Sequence, residues 1–223
     1  METILQLFQS GGVVMIPLLG LSIYSFAIVL ERSLFWLKTS RQQNQVIKQL
    51  LNLYRDDPDA ASKMLQRHLN LPIARIFSVA LSLERSTPQK FKLALESAAQ
   101  AEIPILKRFN NSLETVIGVA PLLGLLGTVL GLITSLSSLQ LGDIESSQAA
   151  NVTGGIGEAL TSTAAGLIVA IATLFFASIF RGLYLQQISL IQEVGGQLEL
   201  LHLNQYELSH KYNRVDYEST NVE

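Results

Sequence analysis

The sequence predicts an all-α membrane protein, and three observations carry that prediction. Two stretches near the centre are apolar: residues 115–142 hold no ionisable group, and residues 154–180 hold one, Glu158. Each exceeds the ~20 apolar residues a helix needs to cross a hydrocarbon core. Charge is segregated along the chain. No Lys or Arg precedes Arg32, most of the sixteen lie between Arg32 and Arg108, and the last are Arg181, Lys211 and Arg214. Small and polar residues inside the apolar stretches recur at helical intervals, and no strand alternation appears.

Residues 1–11 form a short polar lead without a basic n-region, a poor match to a cleavable signal peptide. The first span, 12–37, is apolar round its circumference. Trp36 and Lys38 sit at its inner end, where an aromatic anchor and a snorkelling cation belong, and the Glu31–Arg32 pair there can reach headgroups or neighbouring helices. Residues 38–112 are polar and helical in pattern, a helical extension outside the bilayer. Asp57-Pro58 and Thr87-Pro88 each put a capping residue before a proline at the first helical position, and Asn70-Leu71-Pro72 marks a further break. From Thr87 the pattern runs on as one long helix, bent at Pro104, that enters the second span, 113–139. A short loop, 140–153, leads to the third span, 154–181, which ends at Arg181. Residues 182–223 continue as a helix of near-heptad Leu and Val spacing, and from Lys211 the tail reads as polar and disordered. With three spans, all sixteen basic residues fall on one side of the membrane. The positive-inside rule makes that side the cytoplasm, with the N-terminus outside and the C-terminus inside.

The central spans carry the candidate chemistry. Pro121, Gly124, Thr128, Gly131, Ser135 and Ser138 lie on one helical face, and Ala159, Thr163, Gly166, Ala170, Thr173 and Ala177 make a similar stripe. Lipid gives no reason for such stripes. Close packing against another helix does, and so does the wall of a narrow polar path. Glu158 is costly at membrane depth, which suggests function, yet near the start of its helix it also fits a dipole cap. The three histidines, His68, His202 and His210, are dispersed and read as solvated. With no cysteine, no HExxH and no nucleophile elbow, the chain offers no metal site, cofactor site or enzymatic machinery. A net charge of −2 without a basic face argues against nucleic acid. Three spans with one carboxylate are too few to enclose an ion path, so a conducting form needs several copies and a second titrating group from a partner.

Residues 120–133, APLLGLLGTVLGLI, and residues 155–167, GIGEALTSTAAGL, resemble the two central motifs of the ExbB/TolQ/MotA proton-channel family, most of all ExbB. The three-span layout and the Glu31–Arg32 pair agree with it. The resemblance implies a bacterial inner-membrane ring, typically a pentamer, around the single-span helices of an ExbD/TolR-like partner that brings an aspartate. It implies a TonB-like or Tol-like protein to receive the motion, and hence TonB-dependent transport or, for a TolQ-like subunit, envelope maintenance. It carries hydroxyl roles on the ion path onto Thr128 and Thr163, and a proton-path or structural role onto Glu158. The flanking stripe of Pro121, Gly124, Gly131, Ser135, Ala159, Gly166, Ala170 and Thr173 is then expected to line the pore. Two departures stand out. Ala172 occupies a position where close relatives of ExbB and TolQ have proline, and Ala177-Ser178 stands where they have Tyr-Asn. The reading from another class is a non-conducting scaffold held by close helix packing. A flagellar-type stator fits less well, since such subunits have a fourth span.

Overall fold

The computed structural model describes residues 12–83, 86–137 and 146–220, and every regular element among them is helical. In chain order these are α1 Met15–Asp56, α2 Pro58–Gln66, α3 Pro72–Leu81, α4 Pro88–Leu106, α5 Asn110–Ser137 and α6 Ser146–Thr220. Three helical runs, in Met15–Asp56, Pro88–Ser137 and Thr153–Leu208, are long and apolar enough to cross a membrane. The chain is a multi-pass membrane protein in which α1, α5 and α6 supply the spans. It divides into two compact units, one of Met1–Ser33 with Phe109–Arg181, the other of Leu34–Arg108 with Gly182–Glu223.

The first unit is built on close contact between α5 and α6. Gly166 lies against Ala120 and Gly124, Gly124 against Ser162 and Thr163, and Gly131 against Gly155 and Ala159, so the two helices run antiparallel. The start of α1 packs beside them: Val14 and Leu18 join Ala120 and Ala170 in one buried cluster, fringed by Met15, Leu21, Leu123, Ala165 and Val169. Outside these contacts the helices present leucine and isoleucine, among them Leu122, Leu125, Ile133, Ile168 and Ile171, as spans facing lipid do.

The second unit has its own core. Asp57 accepts from the Ala60 amide at 3.0 Å and Thr87 from the Lys90 amide at 3.4 Å, which confirms both predicted caps, and Pro72 opens α3 as expected. α3 buries Ile73, Ala74, Ile76, Phe77 and Ala80. Beside it the Arg75 guanidinium grips the buried Glu102 carboxylate with two bonds of 2.6 Å and donates to the Leu69 carbonyl at 2.9 Å. That pairing satisfies a carboxylate otherwise costly to bury.

Four expectations need correction here. The long helix from Thr87 is not continuous: α4 ends at Leu106 and α5 begins at Asn110, with Phe109 at φ 66 between them. A left-handed residue cannot continue an α-helix, whereas Pro104 stays inside α4. The third spanning helix begins at Ser146, inside the stretch read as loop, of which 140–145 lie outside the described residues. Nor does it stop before the polar tail, since α6 runs on to Thr220. His202 is not a solvated surface group. Its ring stacks on Phe91 at 4.2 Å between centroids, its Nδ1 meets the Tyr54 hydroxyl at 2.8 Å, and its Nε2 meets the Ser86 carbonyl at 3.0 Å. A carbonyl only accepts, so Nε2 carries the proton and Nδ1 accepts from Tyr54. His68 is tied locally, Nδ1 lying 3.1 Å from the Met64 carbonyl, and the His210 side chain lies outside the described residues.

Burial pushes the Tyr54 phenol up from 10.0 to about 12. A raised folded-state pKa means that the associated stability is complete below pH 10.0 and is lost as pH rises toward about 12. Thermal melts of the purified chain should therefore show a fall in midpoint between those values, and Tyr54→Phe should flatten it. An unchanged alkaline slope in the Phe variant would show that Tyr54 does not set it.

Candidate functional site

The site lies in the first unit and is defined by which residues the α5–α6 seam consumes. On α5 the buried positions are Leu113, Val116, Ala120, Gly124, Gly127, Gly131 and Ser135. On α6 they include Ala159, Ser162, Gly166, Ala170 and Thr173. A Cβ on Gly166 would stand 2.5 Å from the Ala120 carbonyl oxygen, one on Gly131 2.9 Å from that of Gly155, and one on Gly127 would overlap the Ser162 hydroxyl. Only glycine permits backbones this close. Ser162, with no exposed surface, donates to the Ala159 carbonyl at 2.8 Å and lies 3.2 Å from that of Gly124.

Within the single chain most of the stripe is taken up by helix packing. Gly124, Gly131, Ser135, Ala159, Gly166, Ala170 and Thr173 are buried within a single chain, and Ser135 and Thr173 give their hydroxyl protons to Gly131 and Val169 of their own helices. All seven are packed inside the chain, Thr173 in a crevice it shares with Ser22 and Ser25 of α1. Pro121 is half-buried at its margin, and Ser138 lies outside the described residues. Close packing, one of the two origins considered for the stripes, accounts for these seven.

Thr128 and Thr163 are different. Both are half-buried. Each immediately follows a seam residue, Gly127 or Ser162, and so stands about 100° round its helix from it. In facing antiparallel helices a step in the same chain sense turns to the same side of the seam, so both threonines, and Pro121 after Ala120, mark one side. The opposite side belongs to residues that precede seam positions, Leu123, Ala165 and Val169, and these pack against the cluster that Val14 and Leu18 of the first span form with Ala120 and Ala170. Among the described residues the first span therefore covers one side of the seam and not the side of the two threonines. Thr163 donates to the Gly124 carbonyl across the seam at 3.0 Å, and Thr128 to the Leu125 carbonyl at 2.6 Å. Each hydroxyl proton is committed to a backbone carbonyl, which leaves oxygen lone pairs as acceptors.

Glu158 does not join the threonines. It precedes Ala159 and falls on the α1 side, about 140° round α6 from Thr163. It also stands twelve residues into α6, far beyond the first turn where the helix dipole acts, so it does not cap its own helix. Its carboxyl lies against Gly12, at the start of the first span. Of the residues expected at the membrane interface, Glu31 and Arg181 are exposed, while Arg32 and Trp36 are 2% and 5% exposed and are therefore not open to headgroups within the chain. Arg181 shares a crevice of about 300 Å³ with Asn110, Glu114 and Ser178 at the end of the α5–α6 pair. Ala172 is exposed on α6 and Ala177 half-buried, so the departures from the family pattern fall outside the centre of the seam.

Sequence reasoning missed Ser162. The run Thr161-Ser162-Thr163 offers three adjacent hydroxyls, and periodicity alone does not fix which one faces the neighbouring helix. The glycine at 127, whose missing side chain makes room for Ser162, was the available signal.

The MotA/TolQ/ExbB proton channel family matches residues 68–193, a range that contains both central motifs. The ExbB-like 3 and ExbB-like 1 proteins of Synechocystis sp. are 54% and 40% identical over 194 and 196 residues, each covering 87% of this chain and 92% and 77% of their own lengths. The biopolymer transport protein ExbB of Neisseria meningitidis is 30% identical over 194 residues, 78% of this chain and 86% of its own.

The seam makes a contrast between glycines testable. Gly166→Ala should destabilise the detergent-solubilised chain by about 1–3 kcal/mol, because its methyl meets backbone that cannot yield. Gly157→Ala, with nothing within 4 Å, should be neutral or slightly stabilising. Equal melting midpoints for the two variants would refute the packing account.

Proposed function

The chain belongs to the MotA/TolQ/ExbB proton channel family, and on that premise we propose that it is the ring-forming, ion-conducting subunit of an ExbB-like motor in a bacterial inner membrane. Several copies, five in the arrangement favoured by the resemblance, surround a single-span ExbD-like partner that brings a carboxyl group. The basic segments face the cytoplasm and the N-terminus faces outward. The subunit performs no covalent catalysis and holds no cofactor. It converts proton motive force into movement that a TonB-like protein carries to the outer membrane. The ExbB names of its relatives favour this assignment over a TolQ-like one.

One observation carries the reading: Thr128 and Thr163 share the side of the seam that the first span leaves uncovered. A partner helix on that side meets two hydroxyl oxygens whose protons are already given to the Leu125 and Gly124 carbonyls. A protonated carboxyl can donate to those oxygens. An ionised carboxylate is accepted only if a hydroxyl turns away from its carbonyl and donates instead. Proton arrival and departure thus exchange one set of hydrogen bonds for another and shift the inner helix relative to the ring. The membrane potential contributes about 2.3 kcal/mol per charge per 100 mV, on the scale of the hydrogen bonds exchanged.

The scaffold reading keeps one observation in its favour, since packing within the chain explains seven stripe residues without any conduction. Proton flux into liposomes holding the chain with and without its partner separates the two. Under the motor reading flux requires the partner, and Thr163→Val and Thr128→Val each lower it about tenfold to hundredfold, the worth of a hydrogen bond to a charged group. Parent-level flux in both valine variants, or no flux at any imposed potential from an assembled complex, would reject it.

A further inference from the structure

Glu158 has a neighbour that gives it a role distinct from the path. Gly12 is the one described glycine with a left-handed backbone, φ +70, and the space a side chain would need there is filled by the Glu158 carboxyl, which a Cβ would overlap. Gly12 stands at the amino end of the first span. The helical ladder begins with the Met15 amide on the Gly12 carbonyl at 3.1 Å and the Ile16 amide on that of Val13 at 3.3 Å. The amides ahead of Met15, at Val13 and Val14, are the first-turn donors a carboxylate can serve, and the positive end of the helix dipole favours an anion there. Immediately beyond, Val14 and Leu18 bury themselves against Ala120 and Ala170.

We infer that Glu158 is a positioning residue: seated on Gly12, its carboxylate caps the amino end of α1 and latches the first span to α6, on the side of the seam away from Thr128 and Thr163. It acts on ion transfer only through that contact. A cap needs an oxygen acceptor and not a titrating proton, so the latch and a proton relay make opposite demands on the residue.

The test uses the full chain with its single-span partner, reading the melting midpoint of the assembled complex and proton flux in liposomes. Glu158→Gln keeps an oxygen acceptor and should leave flux near the parent. A relay carboxyl would cost about a hundredfold or more on the same change, and that loss from an intact complex would overturn the inference. Gly12→Asn supplies a side chain in a residue that tolerates a left-handed backbone, so its penalty measures the overlap with Glu158. Its midpoint should drop in the parent and barely change in a Glu158→Ala background. Equal drops in the two backgrounds would mean that Gly12 and Glu158 do not interact, which also overturns the latch. Only the flux arm depends on the channel reading. If the parent complex conducts nothing, that reading fails while the midpoint cycle still decides the latch.

Discussion

The close approach of α5 and α6 is the contact on which the first unit depends. In lipid, apolar side chains gain little by meeting each other, so helices associate through backbone-distance dispersion contacts and interhelical hydrogen bonds. Gly124, Gly127 and Gly131 on one helix, with Gly155 and Gly166 on the other, remove the side chains that would hold the axes apart. Ser162 and Thr163 then reach the Gly124 carbonyl across the seam. Once these groups interlock, the rotation of both helices is fixed. Every other residue's side, toward α1, lipid or the uncovered face, follows from that rotation.

The same constraint divides the polar groups of α6. Thr163 follows a seam residue and Glu158 precedes one, so a helix bearing both an acid and a hydroxyl offers them to different neighbours. The acid lies against Gly12, just ahead of α1, and the hydroxyl faces the other side of the seam. A carboxylate facing the amino end of a helix is served by backbone amides and a favourable dipole, whereas facing lipid it would be served by nothing. This makes the split a consequence of solvation as well as of geometry.

The second unit relies on a different physics. Its own helices, α2 to α4, are shorter and begin at Pro after a capping residue or an extended leucine, and the unit packs an ordinary apolar core. Within that core a few polar contacts fix which faces meet. Arg75 and Glu102 lock two helices by a paired, planar geometry, and His202 joins Tyr54, Phe91 and Ser86 through two ring nitrogens and a stacked face. Such contacts reward one arrangement of the helices and penalise others, since an unpaired member would be left desolvated.

The sequence by itself determined the number of spans, the all-helical class, the caps at Asp57 and Thr87 and the candidate status of Thr128, Thr163 and Glu158. Each of these follows from properties local in the chain: the length of an apolar run, a proline after a capping residue, a short motif. The tertiary structure decided which of the small and polar residues become packing and which remain available. A helical stripe drawn from small residues alone is uncertain by one position, and one position is 100°. That single step separates Ser162, sealed in the seam, from Thr163 at its edge, and Gly127 from Thr128. It also left Glu158 without a neighbour until Gly12 was placed, because a contact between residues so far apart in the chain is set by packing rather than by local pattern. The break at Phe109 and the ring of contacts around His202 were hidden for the same reason. No composition signal marks a left-handed phenylalanine or says which of three histidines meets a tyrosine, since both are settled only when separate helices share one core.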